Sequence, residues 1–105
     1  MEIGTIGYNY SHNSEFVFDK PNGIGCPLLL LIKTPAFFEI DGVKHIVKEN
    51  SFIFFSGKLP CKYGGLNGVY TDDWIFISMK PEDEELFARL EIPVDTVVHL
   101  SLIHI

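Results

Sequence analysis

An all-β domain, a barrel or jelly roll with one late helix, is the fold this sequence predicts, and three features carry the expectation. Short runs rich in β-branched and aromatic residues recur along the chain, turn residues separate them, and only the segment that begins at Pro81 has helical character. The 105 residues suffice for one domain, and 47% of them are apolar against 21% charged, so a packed core is expected rather than disorder. Nine Phe, four Tyr and one Trp suit the interior of such a fold.

Taken in order, residues 1–20 read as an N-terminal arm with a first strand around Phe16-Val17-Phe18, and residues 21–105 as the barrel with its trailing helix. The loop Asp19-Lys20-Pro21-Asn22-Gly23 is dense in turn formers. "PLLLLIK" is too continuous for a one-sided strand and is expected to be covered on both faces, as is "SFIFF". "AFFEID" and "VKHIVK" meet at Asp41-Gly42, a hairpin signal because glycine tolerates positive φ. In the second of these His45 shares a face with Val43 and Val47 and reads as a structural histidine. "VYTDDWIFISM" is a longer strand in which Trp74, Phe76 and Ser78 alternate with Ile75, Ile77 and Met79. The helix is expected over residues 81–90, with proline at its first position, acids in its first turn, and Ile92-Pro93 beyond its end. The apolar tail "VDTVVHLSLIHI" reads either as a docked last strand or as the cut edge of something longer.

Charge and composition narrow the function. A net charge of −6 leaves no basic footprint for gripping phosphates, so direct nucleic-acid binding by this chain is not expected. Cys26 and Cys61 are too few for a disulfide scaffold and too far apart for a zinc knuckle. The N-terminus has no basic region followed by an apolar stretch, and the longest apolar run, Pro27 to Ile32, is far short of the ~20 residues of a membrane helix. A cytoplasmic protein with reduced cysteines and no membrane contact is therefore the expectation.

The order "LLLLIKTPAFFEIDGVKHIVKENSFIFFSGKLPCKYGG", then "VYTDDWIFISMKPEDEELFARLEIP", resembles the N-terminal effector-binding domain of AraC-family transcriptional regulators over roughly Pro21 to Leu100. The Asp41-Gly42 hairpin, the Glu49-Asn50-Ser51 turn and Asp73-Trp74 before "LEIP" carry the likeness. It implies a cupin-like double-stranded β-helix, a jelly-roll barrel, that binds a small organic effector, often a sugar. It also implies homodimerisation as a second role, and DNA binding through a C-terminal pair of helix-turn-helix motifs that this chain lacks. In some family members an N-terminal arm covers the effector, a role that Tyr8, Asn9, Tyr10 and His12 would fill here.

Metal-binding cupins need paired histidines, a carboxylate and a further histidine converging on one ion. Here the segment for the pair reads Lys33-Thr34-Pro35-Ala36, Cys61 stands in the place of the last histidine, and His12, His45, His99 and His104 are scattered singly. No metal, no cofactor and no enzymatic activity are expected. The resemblance places Lys33 and Tyr63 where sugar-binding members have a pocket arginine and tyrosine, and Trp74 where a sugar ring stacks. Asp72 shares the strand face of Trp74, Cys61 shares that of Tyr63, and Phe38 is a pocket wall, so the expected ligand-binding set is Lys33, Phe38, Cys61, Tyr63, Asp72 and Trp74. Each has a plainer reading as core filler or as a solvated strand end. The competing function is a stand-alone small cupin enzyme, such as a sugar isomerase or epimerase, which requires a positioned acid–base pair.

Overall fold

Leu28, Leu30 and Ile32 point to one side of their strand and are buried, while Leu29 and Leu31 between them are half-buried. That two-residue alternation recurs along the strands that build the core. The computed structural model describes residues 1–13, 15–66 and 68–100. In chain order the elements are β1 (Glu2–His12), β2 (Val17–Lys20), β3 (Leu28–Ile32), β4 (Ala36–Ile40), β5 (Val43–Val47), β6 (Ser51–Phe55), β7 (Cys61–Gly65) and β8 (Tyr70–Ser78), followed by α1 (Pro81–Arg89) and β9 (Val97–His99).

Two antiparallel sheets face each other. One has the order β1-β8-β3-β6-β9 and the other β2-β7-β4-β5. The pairing is nested: the first strand lies beside the eighth, the second beside the seventh, the third beside the sixth and the fourth beside the fifth. The all-β expectation with one short late helix therefore holds. Leu28, Leu30, Ile32, Phe38, Ile53 and Phe55, all at most 2% exposed, fill the space between the sheets. Burial of each such side chain favours folding by roughly 1.5–3 kcal/mol.

Local chemistry sets the connections. At the β4–β5 hairpin Asp41 and Gly42 have φ of 50° and 82°, the positive pair that a two-residue turn requires. At the start of α1, Asp83 accepts a hydrogen bond from the Lys80 N–H at 3.0 Å and pairs with the N-terminal ammonium at 2.8 Å, which hold its carboxyl below the usual range. The helix ends with Glu91 at φ 55° and an Ile92 N–H to Phe87 carbonyl bond of 3.1 Å, a left-handed cap reached here without glycine. Phe87 packs on Phe54 at 5.2 Å between ring centres, so α1 covers the outer side of β6 and explains why "SFIFF" is apolar on both faces. Among the described residues no helix is long and apolar enough to cross a membrane.

Two segments differ from the sequence expectation, and a third, the tail, takes the docked-strand form that was one of its two readings. The first strand of the four-stranded sheet is Val17–Lys20, and the residues before it, expected as an arm, form β1 at the edge of the five-stranded sheet. β1 pairs with β8 along its length, and two irregularities in register, between Ile3 and Ile6 and between Gly7 and Tyr10, keep the pairing going. β5 is also an edge strand, where Val43 and His45 are exposed and only Val47 reaches the core. His45 is therefore a surface residue rather than a structural one. Of the tail, Val97–His99 docks on β6, and residues 101–105 lie outside the described residues.

Candidate ligand-binding site

Four consecutive residues of β8 establish the site. Tyr70 and Asp72 turn inward and are buried, while Thr71 and Asp73 turn outward and are half-buried. Trp74 and Phe76 continue the inner face. Directly across the ladder stand Tyr10 beside Asp72 and Gly7 beside Trp74. Gly7 is required there, because a Cβ at that position would come within 2.2 Å of the Trp74 indole.

The second irregularity of β1 decides what lines the interior. Between Gly7 and Tyr10 two residues, Tyr8 and Asn9, oppose the single Asp73, and Asn9 takes φ 53°. The extra residue resets the alternation, so Tyr10 and His12 share the inner side with Gly7. Asp73 accepts a 2.6 Å hydrogen bond from the Asn9 N–H. Lys33 closes the arrangement, with its Nζ 3.0 Å from Asp73 Oδ1 and donating to Asn9 Oδ1 at 3.0 Å. The same Nζ lies 4.4 Å from the centre of the Tyr8 ring.

Between the open edges of the two sheets, where the β1–β2 connection passes from one to the other, lies a cavity of about 210 Å³. Tyr10 and His12 of β1, Phe16 and Phe18 around the start of β2, and Trp74 and Phe76 of β8 form most of its wall. Tyr63 of β7 and Asp72 complete it, with Leu28 at the base. Aromatic contact runs through the wall: His12 stacks on Phe16 at 3.6 Å, Phe16 on Tyr70 at 5.7 Å, and Tyr63 on both Phe18 and Phe38 at 4.8 Å.

Asp72 is the chemical exception in this wall. It is 2% exposed, and its Oδ1 has no hydrogen-bond partner among the described residues. The buried Tyr70 hydroxyl is likewise unpartnered. The Tyr70 hydroxyl is nonetheless near enough to Asp72 for each to shift the other's ionisation. Burial raises the Asp72 carboxyl to about 6, the Tyr70 hydroxyl works against that rise, and the neighbouring Asp73 adds to it. Burial also pushes Tyr63 and Tyr70 well above the ordinary phenol range, with the Asp72 charge adding to both, and pulls His12 down towards the neutral imidazole. An unpaired buried carboxylate is costly to keep. Positions of this kind occur preferentially at sites that bind or react.

Of the six residues expected from the sequence, the cavity brings together Tyr63, Asp72 and Trp74. Phe38 stands behind Tyr63, fully buried in the core. Cys61 is one inward step further along β7, opposite Lys20 and Ile40, and is not among the lining residues. Burial pushes its thiol up to about 11, with Asp95 and Asp19 adding to the rise, which is unfavourable for a nucleophilic thiolate. Lys33 lies outside the cavity, held against Asp73 on the other face of β8. The lining residues absent from the expected binding set are Phe16, Phe18, Leu28 and Phe76, together with Tyr10 and His12, which were expected only in an arm over the effector. The spacing of Tyr10 with His12, and of Phe16 with Phe18, was the available signal for four of them. Among the described residues no three His, Cys, Asp or Glu side chains converge closely enough to hold a metal ion.

Comparison of the sequence with protein-family models and with curated proteins finds no match to either.

Proposed function

We propose that this chain is the effector-sensing domain of an AraC-type transcriptional regulator, a cupin-like jelly roll that binds a small organic ligand between its sheets and has no enzymatic activity of its own. The observation that carries the reading is the aromatic cavity with the unpartnered Asp72 oxygen inside it. The nested strand pairing supports the jelly roll, because it is what results when one long hairpin rolls up into two facing sheets. The ligand acts by population shift: it favours one arrangement of β1, which forms part of the cavity wall, and so changes the surface offered to a second copy or to a DNA-binding domain. In the intact regulator a helix-turn-helix pair follows the barrel, and DNA is contacted there.

A thermal-shift screen of sugars and other small metabolites tests the binding reading. A ligand of the native state raises the melting temperature, and at a concentration of 100 Kd the stabilisation is ~2.7 kcal/mol. The hit loses its effect in Trp74→Ala while that variant still melts cooperatively. A screen without any hit, or a Trp74→Ala protein that is merely unfolded, removes the support.

The small isomerase or epimerase reading has one observation in its favour: Asp72 and His12 line the same cavity, with burial moving one up and the other down in pKa. Exchange of sugar C–H for deuterium in D2O, catalysed by the wild type and abolished by Asp72→Asn, would favour the enzyme over the sensor.

A further inference from the structure

The chemistry of the cavity wall points to the class of ligand, on the reading that the cavity is a binding site. We infer that it takes a small organic cation, an ammonium group on a single apolar ring or short chain, with the ammonium paired to Asp72 and the ring held among the aromatic side chains.

Three observations converge. The first is the charge balance. Asp72 is 2% exposed and lines the cavity with an unpartnered oxygen, and neither Lys nor Arg is among the lining residues. Lys33, just beyond the end of β3, is engaged with Asp73 on the opposite face. A buried carboxylate without a counter-ion is satisfied best by a ligand that brings one, because an ammonium supplies both charge and hydrogen-bond donors. An anionic ligand would place like charges together in a poorly solvated space.

The second is the remaining wall. Tyr10, Phe16, Phe18, Tyr63 and Trp74 surround the space, and electron-rich ring faces attract an organic cation. The third is size and polarity. A cavity on the order of 150 Å³ holds benzene, so about 210 Å³ accommodates one ring with a short substituent. A monosaccharide carries hydroxyls all round its ring and needs several fixed polar partners. Here the wall is mainly aromatic, and Asp72 is its one carboxylate. The hollow under α1, lined by Phe54, Met79 and Phe87 among others, is of similar size at about 190 Å³ but contains no unpartnered buried polar atom among the described residues.

Isothermal titration calorimetry of the whole chain with four probes tests the inference: 2-phenylethylamine, its neutral counterpart 2-phenylethanol, the anion phenylacetate, and D-xylose. The amine is expected to bind at least ~10-fold more tightly than the alcohol, as a charge-assisted hydrogen bond implies, and phenylacetate not to bind. Asp72→Asn should erase the preference for the amine while the alcohol still binds. Its melting curve, at or above that of the wild type, verifies that the variant is folded. Alcohol binding as tight as amine binding, or an amine preference that survives Asp72→Asn, overturns the inference. Xylose binding with the amine silent also overturns it but leaves the ligand-binding reading in place. Silence of all four probes overturns the cation inference alone, and the wider metabolite screen then decides the reading beneath it.

Discussion

Asp72 and Asp73 are neighbours on one strand and live in opposite circumstances. Asp73 faces outward, accepts the Asn9 N–H at 2.6 Å and pairs with Lys33 at 3.0 Å, so its charge organises the bend in β1. Asp72 faces inward, with no partner for Oδ1 and aromatic rings around it. The difference separates a charge that serves the fold from one that the fold tolerates. Asp73 is satisfied by the protein, whereas Asp72 Oδ1 has no hydrogen-bond partner among the described residues. Such unpaired inward groups are where stability gives way to function.

Substitutions along β8 test this contrast, and the largest effect is expected at Tyr70. Tyr70 is 0% exposed and stacks on Phe16, so Tyr70→Ala should lower stability by about 4 kcal/mol in urea denaturation. Loss of only a surface-sized amount would show that the inner face of β8 is less tightly packed than its burial implies.

Asp72→Asn should act in the opposite direction and stabilise the protein at neutral pH by about 2 kcal/mol. The sign follows from the raised native pKa. The folded state retains the proton to a pH of about 6, against an ordinary value of 3.8, so the contribution of Asp72 is favourable below 3.8 and is lost as pH rises through about 6. Melting temperatures of wild type and variant should therefore converge below pH 3.8, move apart between 3.8 and about 6, and keep a constant gap above that. A gap that widens in acid would mean that Asp72 is paired in the folded protein.

Asp73→Ala should cost about 1 kcal/mol, as expected for a partly exposed ion pair with an added hydrogen bond. It should also loosen β1 around Tyr10, read as faster amide exchange at Asn9 and Tyr10. Unchanged exchange would detach the bend from the Lys33 pair. Thr71→Ala should be nearly silent, within about 0.5 kcal/mol, because among the described residues its hydroxyl meets only the exposed Ser11 hydroxyl at 2.9 Å.

Much of the scaffold was legible in the residues because the forces that build it are local. The Asp41-Gly42 hairpin needs two positive φ angles, and the sequence places residues there that accept them. Pro81 and the acids after it mark the helix start to the residue. Tyr63, Asp72 and Trp74 could be placed on inner faces from their spacing and from a family resemblance. Lys33 could not be placed in the same way, because a strand-end lysine is free to take whichever partner the fold brings near. That partner is Asp73. Cys61 shares a strand face with Tyr63 but not the cavity, because sharing a face says nothing about where along the strand the space ends.

What the sequence by itself determined is the class of the fold: strands with a two-residue alternation, turns with the right glycines, a capped helix, and a core rich in aromatic rings. These follow from backbone sterics and from the transfer of apolar side chains out of water, which act over a few residues at a time. What only the tertiary structure decided is the site. Strict alternation from Gly7 would turn Tyr10 outward, but the extra residue opposite Asp73 turns it, and His12 with it, towards the cavity. That extra residue is stabilised by Lys33, 24 positions away, and by Asp73, 64 positions from Asn9. The same assembly buries Asp72 and leaves it without a counter-ion among the described residues, since whether a carboxylate is paired depends on which distant strand arrives beside it.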